Sequence, residues 1–181
     1  NMGGAYGELG RHAEAIAAYK KSIAIDPDMA LTYYNLGNSH VALGRYEDAV
    51  AVYKKAASIK PDYVNAYNNM AIAYIRLKRY AEILPVCKKV IALQPGNAKA
   101  YNTMGFACFQ LGRYDDAVTA YKKSIALKPN SATVHLNMGM AHMKLKQNAE
   151  AIAAFKKVIA IEPKSKDADK ARLCMRGLGG R

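Results

Sequence analysis

Apolar residues recur along the chain at helical spacing, in stretches broken by short polar segments that carry Gly, Pro, Asp and Asn. The breaks are regular. Pro27, Pro61, Pro95, Pro129 and Pro163 each stand 34 residues from the last, and every other feature can be placed by its distance from them. Twelve residues before each proline lie Ala15, Ala49, Ile83, Ala117 and Ala151, and one helical turn later Tyr19, Tyr53, Cys87, Tyr121 and Phe155. Residues four apart share a helix face, so this spacing predicts a helix that offers a small and a large apolar residue to a neighbour. Earlier in each unit, Gly3, Gly37, Ala71, Gly105 and Gly139 follow Met2, Leu36, Met70, Met104 and Met138. A second helix is predicted there, with its backbone free to press against another element.

Between the two helices the triplet Leu-Gly-Arg recurs at residues 9–11, 43–45 and 111–113. It places glycine where the first helix must stop in a left-handed conformation. Lys78 and Lys146 take that place elsewhere, a less favourable choice. The second helix is expected to end before each proline, which pushes the preceding residue out of helical geometry. Asp28, Asp62, Asn97, Ser131 and Ser165 are then the expected caps of the next helix. Pro85 falls inside a second helix and predicts a kink and the lowest local stability at residues 80–93.

Five helix-turn-helix units with Gly, small, aromatic and Pro residues at these offsets resemble the tetratricopeptide repeat (TPR) family over nearly all of residues 1–163. The usual aromatic near the start of each unit is present as Tyr33, Tyr67 and Tyr101, with His135 in its place in the last. The resemblance implies an all-α fold, a right-handed superhelical solenoid of antiparallel helix pairs. The expected units are residues 1–27, 28–61, 62–95, 96–129 and 130–163, with a capping helix at 164–176 and a frayed tail at 177–181. The first unit starts midway through its first helix, as in a segment cut from a longer protein.

In that family the first helices line the concave side, so the resemblance places a peptide-binding groove at particular residues. Twenty-six positions before each proline stand Asn1, Asn35, Asn69, Thr103 and Asn137. An asparagine offers both a donor and an acceptor to a peptide backbone, and the line is similar to the asparagine ladder of O-linked N-acetylglucosamine transferases. Stitching of neighbouring helices would use the same residues. Inward positions add Tyr34, Asn38, Asn68, Ile72, Arg76, Lys99, Asn102, Phe106, Gln110, Leu136, Met140 and Lys144. The carboxylate clamp of chaperone-binding TPR domains is only partly matched. Asn38, Asn69 and Lys99 fit it, while Tyr34 and Thr103 stand where two of its cations belong.

Charge adds one feature. The 27 Lys and Arg outnumber the 14 Asp and Glu, giving +13, and ten of them are the pairs Lys20-Lys21, Lys54-Lys55, Lys88-Lys89, Lys122-Lys123 and Lys156-Lys157. Helix C-termini favour cations, which is the expected reason for their place. A solvated face and a basic docking stripe are both compatible with them. The expected partner is a protein or peptide, acidic ones included. Self-association is compatible with the repeat, membrane contact is at most peripheral, and nucleic acid is not expected because the aromatics sit at packing offsets.

No metal-binding, phosphate-loop or nucleophile motif is present, and His12, His40, His135 and His142 occupy repeat positions filled elsewhere by Tyr, Asn or Cys. Neither catalysis nor a cofactor is expected. Cys87, Cys108 and Cys174 show no pairing pattern, which with the absence of a signal segment suits a reducing cytoplasm. Binding of a partner segment in the groove is the leading expectation. The alternatives are a substrate-recruiting part of a larger enzyme such as a glycosyltransferase, and a self-assembling coat on a bacterial organelle or membrane surface.

Overall fold

The computed structural model describes residues 2–179. Among them are eleven α-helices: α1 Met2–Glu8, α2 His12–Ile25, α3 Ala30–Ala42, α4 Tyr46–Ile59, α5 Val64–Arg76, α6 Tyr80–Leu93, α7 Ala98–Gln110, α8 Tyr114–Leu127, α9 Ala132–Lys144, α10 Asn148–Ile161 and α11 Lys166–Gly177. No strand occurs among the described residues. The helices form antiparallel pairs in a solenoid, and they fall into two compact units, residues 1–93 and 94–181. α11 includes Gly177, which the sequence assigned to the tail. Gly180 and Arg181 lie outside the described residues.

Within each pair the sequence dictates a close approach. The partner of each glycine is the aromatic residue on the following helix. A Cβ placed on Gly105 would lie 2.6 Å from Tyr121 Cε1, and one on Gly139 2.5 Å from Phe155 Cε1. Gly37 meets Tyr53 in the same way. Tyr53, Tyr121 and Phe155 are completely buried as a result. The third pair reverses both choices: Ala71 replaces the glycine and Cys87 the ring, so a methyl group has room where no ring occupies the space.

The turns follow one pattern. In the first unit Gly44 has φ +71°. Its N–H donates to Val41 O at 2.9 Å, while Arg45 N–H donates to His40 O at 2.9 Å. These two bonds satisfy the last carbonyls of α3 in a Schellman motif. Lys78 and Lys146 hold the same geometry at φ 56° and 59°, with matching bonds from Arg79 to Tyr74 and from Gln147 to His142.

The helix starts differ in part from the sequence reading. Every first helix after a proline is capped two residues beyond it, at Met29, Tyr63, Asn97, Ser131 and Ser165. Asp28 and Asp62 stand one residue too early to cap. Asn97 Oδ1 accepts from Ala100 N–H at 3.0 Å and Ser165 Oγ from Ala168 N–H at 3.1 Å. Ser131 makes no side-chain cap bond.

The unit-opening ring fastens two of the starts. Tyr67 Oη donates to Pro61 O at 3.4 Å, and His135 Nε2 donates to Pro129 O at 3.0 Å. Imidazole therefore does the work of a phenol in the last pair. α6 continues as α-helix through Pro85. α11 closes on α9 and α10, burying Ala168 and Ala171 completely, and Thr133 Oγ1 donates to Asp167 Oδ2 at 2.9 Å.

Candidate functional site

The first helices pack their buried apolar side chains against the following helices and carry a row of amide side chains besides. In the first unit the face with this row carries Tyr34, Asn35, Asn38, Asn68 and Asn69, all partly buried, and Arg76, exposed in the last turn of α5. Asn38 and Asn69 form the centre of a network. Tyr53 Oη donates to Asn38 Oδ1 at 2.7 Å, and Asn69 Nδ2 donates to the same oxygen at 2.8 Å and to Tyr34 Oη at 3.2 Å. The Tyr34 ring lies 6.0 Å from that of Tyr53 and 5.1 Å from that of Tyr63. Burial holds the Tyr53 phenol far above its ordinary pKa, more than the nearby Asn69 amide lowers it. The phenol is thus an O–H donor at neutral pH, and the direction of its bond is fixed.

The network has a chemical consequence. Asn38 Oδ1 already accepts two bonds, so its Nδ2 is what it can offer; Asn69 Nδ2 already donates two, leaving Oδ1. The two amides become a donor and an acceptor rather than two interchangeable groups. Next to them, Asn35, Asn38 and Ser39 line a pocket of about 340 Å³ with Gly4, Gly7, Glu8, His12 and Tyr19. Asn1 lies outside the described residues.

In the second unit Lys99 is exposed, while Asn102, Thr103, Phe106 and Asn137 are partly buried on the first helices. Leu136 departs from the expected wall. It is 4% exposed and packs in the core of α9, α10 and α11 with Ala151, Phe155 and Val158.

Tyr53 and Tyr63 were missed as contributors to this face. Tyr53 sits at a packing offset, and nothing local shows that its hydroxyl reaches an amide 15 residues away. All ten paired lysines are exposed. They lie too far from the helix ends for the expected dipole effect: the last turns of α2, α4, α6, α8 and α10 hold no basic residue, and that effect fades within one turn. Glu47, Asp48, Asp115 and Asp116 do occupy first turns.

Cys87 and Cys108 are buried and Cys174 partly so, all as free thiols. Among the described residues no three His, Cys, Asp or Glu side chains are placed to share a metal, and no helix is long and apolar enough to cross a membrane.

These features define a helix-pair repeat protein whose first helices present an amide-rich face. The chain belongs to the tetratricopeptide repeat family: the family model described as TPR repeat matches residues 3–44, 37–78 and 105–146, and two tetratricopeptide repeat models match 132–165 and 78–123. A comparison with curated proteins gives no significant match. Among solved structures, MamA is 28% identical with a TM-score of 0.86, over 91% of this chain and 96% of the other. A MamA from Desulfovibrio magneticus RS-1, from residue 41 to its end, is 24% identical with a TM-score of 0.84, over 92% and 94%. YrrB, described as a TPR protein with an unusual peptide-binding site, is 21% identical with a TM-score of 0.84, over 96% and 89%. The two likenesses below 25% speak to fold alone.

Proposed function

We propose that this chain is a non-catalytic binding protein whose first-helix faces hold an extended segment of a partner protein. The observation that carries this reading is the Tyr53–Asn38–Asn69–Tyr34 network, which uses up the Asn38 carbonyl and the Asn69 amide hydrogens and leaves the Asn38 amide as a donor and the Asn69 carbonyl as an acceptor. A peptide bond presents the complementary acceptor and donor, so such a pair grips backbone whatever side chains it carries. Asn35 extends the face in the first unit, and Thr103, Asn137 and Lys99 continue the pattern in the second. Lys99 and Arg76 favour acidic segments.

The test is affinity capture from a cell extract with the chain and with an Asn35→Ala/Asn69→Ala/Lys99→Ala variant. A protein retained by the first and lost from the second supports the reading; equal retention sinks it and moves attention to the exposed lysines.

A second reading, self-assembly, has one observation of its own. Met2 is 70% exposed and Ile25 87%, and with Tyr6, Ala17, Ala18 and Met29, beside the polar Glu14, Lys21 and Ser22, they line a mostly apolar hollow of about 600 Å³ beside α1 and α2. Contiguous exposed apolar surface marks interaction sites. Light scattering that shows only monomer at high concentration counts against it.

A further inference from the structure

The second unit holds a pocket of about 240 Å³ between α7, α8 and α9, bordered by Lys99, Asn102, Ser124, Lys128 and Ser131. Sites for whole small molecules start at roughly 300 Å³, so this one matches a single side chain. Its origin can be traced within the molecule. Asn102, Lys128 and Ser131 each stand two repeats after Tyr34, Lys60 and Tyr63. In the first unit those two tyrosine rings pack at 5.1 Å, and Lys60 Nζ lies 5.4 Å from the Tyr63 ring centroid. The second unit keeps the lysine and replaces both rings by an amide and a hydroxyl. A hollow results where the first unit is filled.

Its polar groups are also incomplete. Asn102 Oδ1 is buried without a partner, and the Ser131 side chain makes no capping bond. Ser124 is already engaged, its Oγ donating to Ala98 O at 2.9 Å. A buried acceptor with no donor is a standing penalty that a ligand hydroxyl would relieve. Lysine beside a ring is favourable in turn.

The geometry points to a tyrosine side chain of a bound peptide as the occupant. Its ring replaces the two that are missing and lies against Lys128, its hydroxyl donates to Asn102 Oδ1, and the Ser131 hydroxyl or Lys99 donates to the phenol oxygen. This assignment rests on the groove reading in taking Lys99 and Asn102 as part of the peptide-facing surface.

The test is a titration of the full chain, followed by amide NMR, with N-acetyltyrosinamide, N-acetylphenylalaninamide and N-acetylglutamic acid amide. Tyrosinamide is expected to give saturable shifts at Asn102, Lys128 and Ser131, with phenylalaninamide about fivefold weaker for want of one hydrogen bond. An Asn102→Tyr/Ser131→Tyr variant, which refills the hollow as in the first unit, is expected to lose the response. Asn102→Ala, a milder change, is expected to abolish the preference for tyrosine over phenylalanine. Equal response to the two aromatic probes, tighter binding of the glutamate probe, or unchanged binding by the refilled variant overturns the proposal. A tyrosine-containing peptide separates it from the groove reading. Shifts at the hollow with none at Thr103 or Asn137 support this site and not the groove. Shifts at Thr103 and Asn137 that are indifferent to Tyr→Ala in the peptide support the groove and overturn this site.

Discussion

At each glycine socket a ring lies where a methyl group would have to go, so Gly105→Ala forces Tyr121 out of place. Overpacking of this kind destabilises by about 1–3 kcal/mol, readable in denaturant melts. The third pair already contains the remedy, Ala71 opposite Cys87. In a Tyr121→Cys background the same Gly105→Ala change is therefore expected to cost little, and a double-mutant cycle measures the difference. The left-handed lysines give the opposite sign. A side chain at φ 59° carries strain of roughly 1–2 kcal/mol, part of it offset by the entropy that glycine brings to the unfolded chain. Lys146→Gly is expected to stabilise by about 0.5–1 kcal/mol in thermal melts.

His40, 5% exposed, titrates against its surroundings. Burial lowers its pKa, Arg45 and Lys20 add to the effect, and Asp48 at 3.6 Å opposes it. The unfolded chain then binds the proton more readily, so the contribution to stability is complete above a pH of about 6.5 and is lost progressively as pH falls from there through the lower folded value. His40→Tyr, which installs the residue found at the equivalent positions 6 and 74, is expected to flatten that slope in urea melts between about pH 7 and 5.

At the scale of elements, Pro85 is the test case. It stands six residues into α6, beyond the first turn, and removes the bond to Ala81 O that its neighbours make. Pro85→Ala is expected to stabilise by about 1–3 kcal/mol, with hydrogen exchange slowing first around residues 82–88. The helices, their stops and their paired faces were legible from the proline ruler because each depends on residues within one turn of one another. The cap positions were legible where Asn97, Ser131 and Ser165 sit two residues after proline, with side-chain bonds from Asn97 and Ser165. Asp28 and Asp62 looked equally suitable, yet the turn geometry selects that position whatever residue holds it, even Met29 or Tyr63. Stitching of neighbouring helices by these asparagines was legible as one of two uses, but the partners in the amide network were not. An offset gives the face of a residue, whereas the partners of Asn38 are 15 and 31 residues away and belong to different helices.

For the whole molecule, repeat architecture predicts that damage stays local. In such architectures stability is close to a sum of unit and interface contributions. In the Gly37→Ala variant, hydrogen exchange is expected to accelerate in α3 and α4, while α9 and α10 keep their protection within about 0.5 kcal/mol. A uniform loss along the chain would show instead that it unfolds as one cooperative body. The same locality explains why function is read pair by pair: the first unit spends Asn38 and Asn69 on a polarised network, whereas the second leaves Asn102 Oδ1 without a donor.

The Ala71–Cys87 exchange also constrains how such a chain can be recombined. The pairs look like interchangeable cassettes, but a crossover in the short turn of residues 77–79 would join an alanine-bearing first helix to a tyrosine-bearing second one and jam the socket. Breakpoints at the proline loops keep each glycine with its own ring and each alanine with its own thiol. Shuffled libraries cut there should yield folded hybrids, and inner-turn hybrids that set Ala71 against a ring should lose stability.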